Sequence, residues 1–136
     1  SGVEQSGQAR RINRRKFPRD ELNRELARPE SRQARVLAGY RRLLATRRRQ
    51  PAFHPDAEQS IPRDVPPWLV AVLRVSRDHR QRILALVNVT GRRQSWELPA
   101  GVEFRPAREL IGGRAWPPTA RIELDPYQTL WLETAS

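Results

Sequence analysis

At 136 residues the chain can hold one modest domain, or a small domain with an appended helical segment. It has no cysteine, and its two histidines lack the spacing of a helical zinc site, so a disulfide framework and cysteine chemistry are excluded and neither a metal nor another cofactor is expected. No apolar run approaches the roughly 18 residues that cross a bilayer, and the polar start is unlike a signal peptide, which predicts a cytoplasmic protein without a membrane partner.

The net charge of +11 is concentrated in the first 50 residues. They carry 15 basic and 5 acidic residues, a net +10, whereas residues 51–136 carry 11 basic and 10 acidic residues, a net +1. A basic region of this size can hold phosphate backbones, which makes nucleic-acid binding one alternative function. However, 25 of the 26 basic residues are arginine, a ratio more typical of arginine-favouring codon usage than of a nucleic-acid binder.

Two helices are predicted before residue 51. Pro18 at a first helical position, with Asp20 and Glu21 behind it, predicts a short helix over about residues 18–28. Residues 29–31 open a second helix with an apolar stripe at positions i, i+1, i+4, i+7 and i+8, which is expected to face a core. The stripe consists of Val36, Leu37, Tyr40, Leu43 and Leu44. Five arginines of the same helix are expected on its solvent side, namely Arg32, Arg35, Arg41, Arg42 and Arg47.

The second half of the chain is predicted to be an antiparallel β-sandwich. Residues 51–66 are proline-rich with little periodicity and are interpreted as a linker. Beyond them, period-two patterns predict strands over residues 68–75, 82–89, 94–98, 120–124 and 127–133. The first two are apolar on both faces, as strands buried on both sides would be, and the short segment between them can close a hairpin. The fold class is therefore α+β, with two N-terminal helices followed by the all-β sandwich.

Several sequence blocks in this order resemble the alpha-amylase superfamily, glycoside hydrolase family 13. Four of them are similar to the last barrel segment of its sucrose phosphorylase-like and glucosylglycerate phosphorylase-like branch, namely residues 10–17, 26–29, 35–44 and 51–55. Three more resemble the C-terminal β-domain of the same enzymes, namely residues 84–90, 109–113 and 124–132. The last two blocks are also similar to amylosucrase. The resemblance covers essentially the whole chain, and the absence of Met, even at position 1, also predicts a piece of a longer protein or a processed product.

The resemblance implies a division of the chain and a reaction. Residues 1–50 would be the last helical segment of a (β/α)8 barrel, 51–66 the linker and 67–136 the C-terminal β-sandwich domain. The full enzyme would transfer an α-glucosyl group with retention, using an Asp nucleophile, a Glu acid/base and a second Asp on the missing N-terminal barrel. Its substrates would be an α-glucoside, sucrose or a relative, and phosphate. None of the three carboxylates can be assigned here, so the chain alone is expected to be inactive.

Arg10 is the residue that the resemblance places nearest the chemistry. Relatives have an arginine at the matching position, at the bottom of the glucosyl pocket, where it pairs with an Asp of the barrel. A guanidinium suits that role because its fixed fork can hold a carboxylate and sugar hydroxyls together. Asn13 and Arg14 are expected to support the same loop. A solvated arginine is the alternative interpretation of Arg10, and Arg11 competes for the alignment.

The remaining candidates have weaker patterns. His54 lacks a Ser, Cys or Asp partner at informative spacing and is interpreted as a surface or capping residue. A second alternative function is a stand-alone carbohydrate-binding module that stacks exposed rings on sugars. Trp96 and Trp116 are the candidates for those rings, whereas Trp68 and Trp131 lie within strand patterns and are expected to pack in the protein.

Overall fold

The computed structural model describes residue 7 and residues 17–98, 104–117, 119 and 121–134. Within these ranges two helices precede eight strands, which confirms the α+β class. The helices are α1, Arg19–Leu26, and α2, Arg32–Arg48, followed by a 3-10 turn at Pro51–Phe53. The strands are β1 Glu58–Ser60, β2 Leu69–Val75, β3 Arg82–Asn88, β4 Gln94–Glu97, β5 Pro106–Glu109, β6 Arg114–Ala115, β7 Arg121–Leu124 and β8 Thr129–Thr134. The chain divides into two compact units, with the boundary after Arg41.

Both helices begin where the sequence predicts. Pro18 precedes α1, and two acids occupy its first turn, where they favour the positive end of the helix dipole. Ser31 caps α2, because its Oγ accepts the Ala34 N–H at 3.1 Å and donates to the Glu25 carbonyl at 2.6 Å. One serine hydroxyl therefore closes the first helix and opens the second.

The apolar stripe of α2 does not face a core, contrary to the prediction. Val36, Tyr40 and Leu44 are 50, 63 and 57% exposed, while Leu37 and Leu43 are half-buried. The only buried residue of the helix is Thr46. Spacing of i, i+4 and i+8 puts the three exposed side chains in one row, so α2 carries an uncovered apolar edge.

The strands form two antiparallel sheets. Six strands are ordered β1-β2-β3-β8-β5-β6, and β4 pairs with β7 in a separate two-stranded sheet. Alternate residues of the large sheet pack against the small one, as in a sandwich. This core consists of Leu69, Ala71, Leu84, Leu86, Trp96, Phe104, Ile122, Leu124, Leu130 and Leu132.

The β2–β3 hairpin forms as predicted, with register from Leu69 opposite Asn88 to Val75 opposite Arg82. Its turn is held by the Ser76 hydroxyl, which donates to Asp78 Oδ1 at 2.6 Å. That hydrogen bond, with a second from the Arg80 N–H, holds the pKa of the Asp78 carboxyl below its ordinary value. Three strands were not predicted, namely β1, β5 and β6.

Candidate functional site

The three residues that the resemblance assigns to the glucosyl pocket, Arg10, Asn13 and Arg14, lie outside the described residues. His54 is exposed, and its Nδ1 accepts the Asp56 N–H at 3.2 Å, which confirms a local capping role. Within the described part of the chain, no three histidine or acidic side chains gather in a way that could hold a metal ion. No described helix is both long and apolar enough to cross a membrane.

Trp96 is buried, which corrects its choice as an exposed ring for sugar stacking. Trp96 is only 6% exposed and belongs to the core between the sheets. Trp116 is half-buried against the same core, with the Arg114 guanidinium 5.7 Å from its ring centroid. Trp68 packs on that core as well, whereas Trp131 lies against Phe53, with ring centroids 4.7 Å apart.

Two of the family-like blocks, 84–90 and 124–132, meet at one buried amide. Asn88 is fully buried at the end of β3, and its Nδ2 donates to the carbonyls of Arg92 at 2.7 Å and Asp125 at 2.9 Å. Its Oδ1 accepts the N–H and the hydroxyl of Thr90 at 3.0 and 2.8 Å. The Tyr127 N–H, at a residue with φ of 54°, donates to the Thr90 carbonyl. This Asn88 network joins the β3–β4 loop to the β7–β8 turn.

The third β-domain block, residues 109–113, forms a second polar structure. Glu109 is 3% exposed and accepts the N–H groups of Ile111 at 2.7 Å and Gly112 at 2.6 Å. The Arg114 guanidinium lies 3.8 Å from the same carboxylate. Each oxygen of this buried carboxylate thus accepts a backbone N–H, and a cation lies nearby, which is the condition for its burial to be tolerated. The Glu109 carboxylate defines the β5–β6 turn.

Gly112→Ala should destabilise the chain by roughly 2 kcal/mol, since a charge-assisted hydrogen bond would be lost. A Cβ at residue 112 would lie 2.5 Å from Glu109 Oε2, so this oxygen would have to move away from the residue 112 N–H that it accepts. Gly39→Ala is the matched control, because nothing lies within 4 Å of its Cβ position, and in a helix it should be neutral or stabilising. Urea unfolding of both variants gives the comparison, and equal midpoints would contradict the role assigned to Glu109.

The outer face of the large sheet carries a partly exposed apolar surface. Cross-strand partners on β2, β3 and β8 point to the same side and form three rows. The rows are Val70, Val87 and Thr129; then Val72, Ala85 and Trp131; then Arg74, Ile83 and Glu133. In the first two rows Val70 is 49% exposed and the other members are half-buried. We call Val70, Val72, Ala85, Val87 and Trp131 the open face.

The third row is covered by the chain itself. Arg74 Nε donates to the Ala52 carbonyl at 3.0 Å, and its Nη1 donates to Gln59 at 2.8 Å. Ala52 in turn packs on Ile83, and both side chains are fully buried. The 3-10 turn therefore shields one row and leaves the open face beside it. This finding corrects the prediction that β2 and β3 are buried on both sides.

A cleft lies where the end of α2 meets the 3-10 turn. It encloses about 660 Å³ and is lined by Leu44, Arg47, Arg48, Arg49, Gln50, Pro51, Phe53, His54 and Pro55. The Arg47 guanidinium lies 5.8 Å from the centroid of the Phe53 ring and donates to the Phe53 carbonyl at 3.3 Å. Because Phe53 also packs on Trp131, this cleft adjoins the open face.

The chain is similar to parts of much longer enzymes. No protein-family model matches it. It is 40% identical to the glucosylglycerate phosphorylase of Allomeiothermus silvanus over 97% of its own length and 21% of that enzyme. The glucosylglycerate phosphorylase of Spirochaeta thermophila is 35% identical over 96% of the chain and 24% of that enzyme. The chain thus spans about a fifth to a quarter of the length of the curated relatives it matches.

Solved structures give the same relationship. The trehalulose synthase MutB of Pseudomonas mesoacidophila MX-45 matches 83% of the chain with a TM-score of 0.63 and 27% identity, over 19% of its own length. A MutB variant in complex with its substrate sucrose matches with a TM-score of 0.64 and 26% identity, over the same shares of the two chains. The predicted resemblance is therefore confirmed: this chain is similar to the C-terminal segment of glycoside hydrolase family 13 enzymes, on the glucosylglycerate phosphorylase-like branch.

Proposed function

We propose that this chain is the C-terminal part of a cytoplasmic sugar phosphorylase that transfers an α-glucosyl group to phosphate with retention and releases α-glucose 1-phosphate. Residues 1–50 would be the last helical segment of its barrel, 51–66 the linker and 67–136 the C-terminal domain. Both curated relatives are glucosylglycerate phosphorylases, so glucosylglycerate is the first donor to test, followed by sucrose and sucrose 6-phosphate.

The role proposed for this part is to pack on the barrel and stabilise it. The observation that carries the proposal is the open face, a row of valines flanked by Trp131 on a sheet whose other side is a closed core. Such a surface costs free energy in water, at roughly 25 cal/mol per Å², and is typical of a buried interface. The exposed edge of α2, with Val36, Tyr40 and Leu44, is a second apolar surface that calls for a covering partner.

The chemistry itself would take place on the barrel. In a retaining mechanism one carboxylate attacks the anomeric carbon while a carboxylic acid about 5 Å away protonates the leaving oxygen. Phosphate then attacks the anomeric carbon of the glucosyl-enzyme on the face from which the leaving group departed. The carboxyl that protonated the leaving group now acts as the base. A water-excluded pocket is needed so that phosphate, rather than water, is the acceptor.

The test is to assay the protein at its natural length for phosphate-dependent release of α-glucose 1-phosphate from the three donors. Retention is read from the anomeric proton signal of the first product formed. Turnover of any of the three supports the proposed reaction, and their relative kcat/KM values assign the donor. Hydrolysis without phosphate dependence, or no turnover of any α-glucoside, would overturn it. The 136-residue chain is the control and is expected to be inactive.

Arg10→Lys should lower kcat/KM for the glucosyl donor about thirtyfold in the longer protein. Lysine keeps the charge but cannot make the bidentate contact of a guanidinium with a carboxylate and sugar hydroxyls. That contact contributes on the order of 2 kcal/mol. Arg11→Lys is the matched control and should change kcat/KM less than twofold. If the two results are reversed, the pocket arginine is Arg11, and Asn13 and Arg14 support that residue instead. Unchanged kinetics in both variants would exclude either arginine from the pocket.

A further inference from the structure

A second cavity, lined by three arginines, lies between the last two turns of α2 and the β5–β6 turn. It encloses about 580 Å³, a size typical of small-molecule sites. Its walls are Arg42, Ala45 and Thr46 on α2, Arg49 and Gln50 directly after it, and Arg108, Leu110, Ile111, Gly112, Gly113 and Glu133 on the sheet side. Spacings of 3 and 4 from Arg42 place Ala45 and Thr46 on the same face of α2, and Arg49 and Gln50 follow directly after the helix ends at Arg48.

The three guanidinium groups keep most of their donors free. Arg42 Nε donates to the Ile111 carbonyl at 2.9 Å, which fastens the helix to the turn, and Arg49 Nε donates to the Ala45 carbonyl at 3.2 Å. These contacts use one N–H of each group and leave the paired Nη donors unengaged among the described residues. Arg108 has no side-chain partner among them.

The charge of the cavity favours a dianion. Three guanidinium groups and the Glu133 carboxylate give a net +2. Glu133 is already engaged, since it accepts the Gln81 Nε2 donor at 2.6 Å. Glu109, which precedes the lining residue Leu110, is held by backbone N–H groups and by Arg114. The negative end of the α2 dipole, about half a charge, offsets only part of the positive sum.

We propose that this arginine cavity binds a phosphate group, either inorganic phosphate or a hexose phosphate. A phosphate monoester carries a charge of about −1.5 to −2 at neutral pH, which matches the cavity, and its oxygens accept the paired donors of an arginine fork. The ligand would bridge α2 to the β5–β6 turn. It would thereby reinforce the contact that the Arg42–Ile111 hydrogen bond already makes between them. This inference does not depend on the proposed reaction, because it concerns described residues of this chain alone.

The test is a titration of the 136-residue, 15N-labelled chain with sodium phosphate and with glucose 6-phosphate, at constant ionic strength. Saturable shifts are expected in the amide signals of Gly112 and Gly113 and of Gln50, just after α2. Saturable binding of either inorganic phosphate or glucose 6-phosphate supports the site. The one that binds more tightly shows whether the site takes free phosphate or a hexose phosphate. Shifts that sodium chloride reproduces at equal ionic strength would overturn it.

Arg108→Gln and Arg49→Gln are each expected to raise the dissociation constant for phosphate about tenfold. Both side chains are exposed, so neither change should unfold the chain, and the dispersion of the amide spectrum checks that directly. Arg63→Gln is the matched control, because Arg63 follows β1 at the opposite edge of the large sheet from β5 and β6. Equal dissociation constants in all three variants would overturn the proposal.

The same titration on the longer protein distinguishes a ligand site from an interface. If phosphate shifts these amides in the short chain but not in the longer protein, acidic side chains of the longer protein occupy the arginines, and the phosphate proposal is wrong. A fall in affinity as the pH drops below about 6 is expected in both lengths, since the ligand then loses its second charge.

Discussion

Asn88→Ala should lower the free energy of unfolding of the chain by about 3 kcal/mol. The side chain is fully buried and makes hydrogen bonds with the carbonyls of Arg92 and Asp125 and with both donors of Thr90. Alanine cannot replace any of them, and it leaves the Thr90 N–H and the two carbonyls without the partners that Asn88 supplies. Each such loss costs roughly 1 kcal/mol, and networks of this kind lose more than the sum of their parts. Urea unfolding followed by tryptophan fluorescence measures the difference.

Two further variants separate the network from mere loss of side-chain volume. Asn88→Asp keeps the acceptor that Thr90 uses but points a carboxylate at carbonyl oxygens, so it should be at least as damaging as alanine at neutral pH. Burial raises the pKa of the new carboxyl in the folded state, so the folded form binds the proton more tightly and stability should recover as the pH falls. Asn23→Ala, on the exposed surface of α1, is the matched control and should cost nothing. A loss below 1 kcal/mol for both changes at residue 88 would contradict the importance of the network.

The strands that form the centre of the large sheet were predictable because their apolar periodicity is strong. The patterns at β2, β3 and β8 each extend over at least six residues, and packing in the core follows the pattern. The missed strands lack that signal. All three residues of β1 are exposed, β6 has two residues, and β5 opens with Pro106, which reads as a break rather than a strand. Edge strands depend on pairing with a neighbour, which one segment of sequence does not reveal.

The tryptophans show why a local pattern can mislead. Trp96 stands among polar neighbours, Gln94, Ser95 and Glu97, which suggests an exposed ring. In a strand, however, successive side chains point to opposite faces, and Ile122 opposite Trp96 is fully buried. Reading β4 together with its partner β7 would have placed the ring in the core. The sequence indicates the burial of Trp96 only when the segments of β4 and β7 are considered as a pair of strands.

The arginine cavity could not be predicted at all. Arg42 lies in a helix with arginines on every side and Arg49 directly follows that helix, whereas Arg108 lies about 60 residues away in a strand that was not predicted. Arg42 was expected on the solvent side, and although it is exposed, it also fastens α2 to the Ile111 carbonyl. Tertiary packing alone selects these three arginines from the 25 in the chain.

Val70→Asp should have opposite consequences in the short chain and in the longer protein. In the 136-residue chain Val70 is 49% exposed, so a carboxylate there remains solvated and should cost at most about 1 kcal/mol from weaker strand propensity. If the open face packs on the barrel, the same carboxylate is buried against apolar side chains without a partner, which costs several kcal/mol. We therefore expect the thermal midpoint of the longer protein to fall by about 6 °C or more, and its phosphorolytic activity to fall with it.

The control for this prediction places the same charge on the other side of the sandwich. Ser95→Asp adds a carboxylate to the exposed surface of β4, next to the Arg121 guanidinium, and should leave both lengths of protein unchanged. An equal, small effect of Val70→Asp in both lengths would show that the open face stays in water, and the proposed packing role would be wrong. A large effect confined to the longer protein would place the barrel on the Val70 and Val87 row. Because this difference measures packing and not catalysis, it remains decisive even if the donor differs from glucosylglycerate.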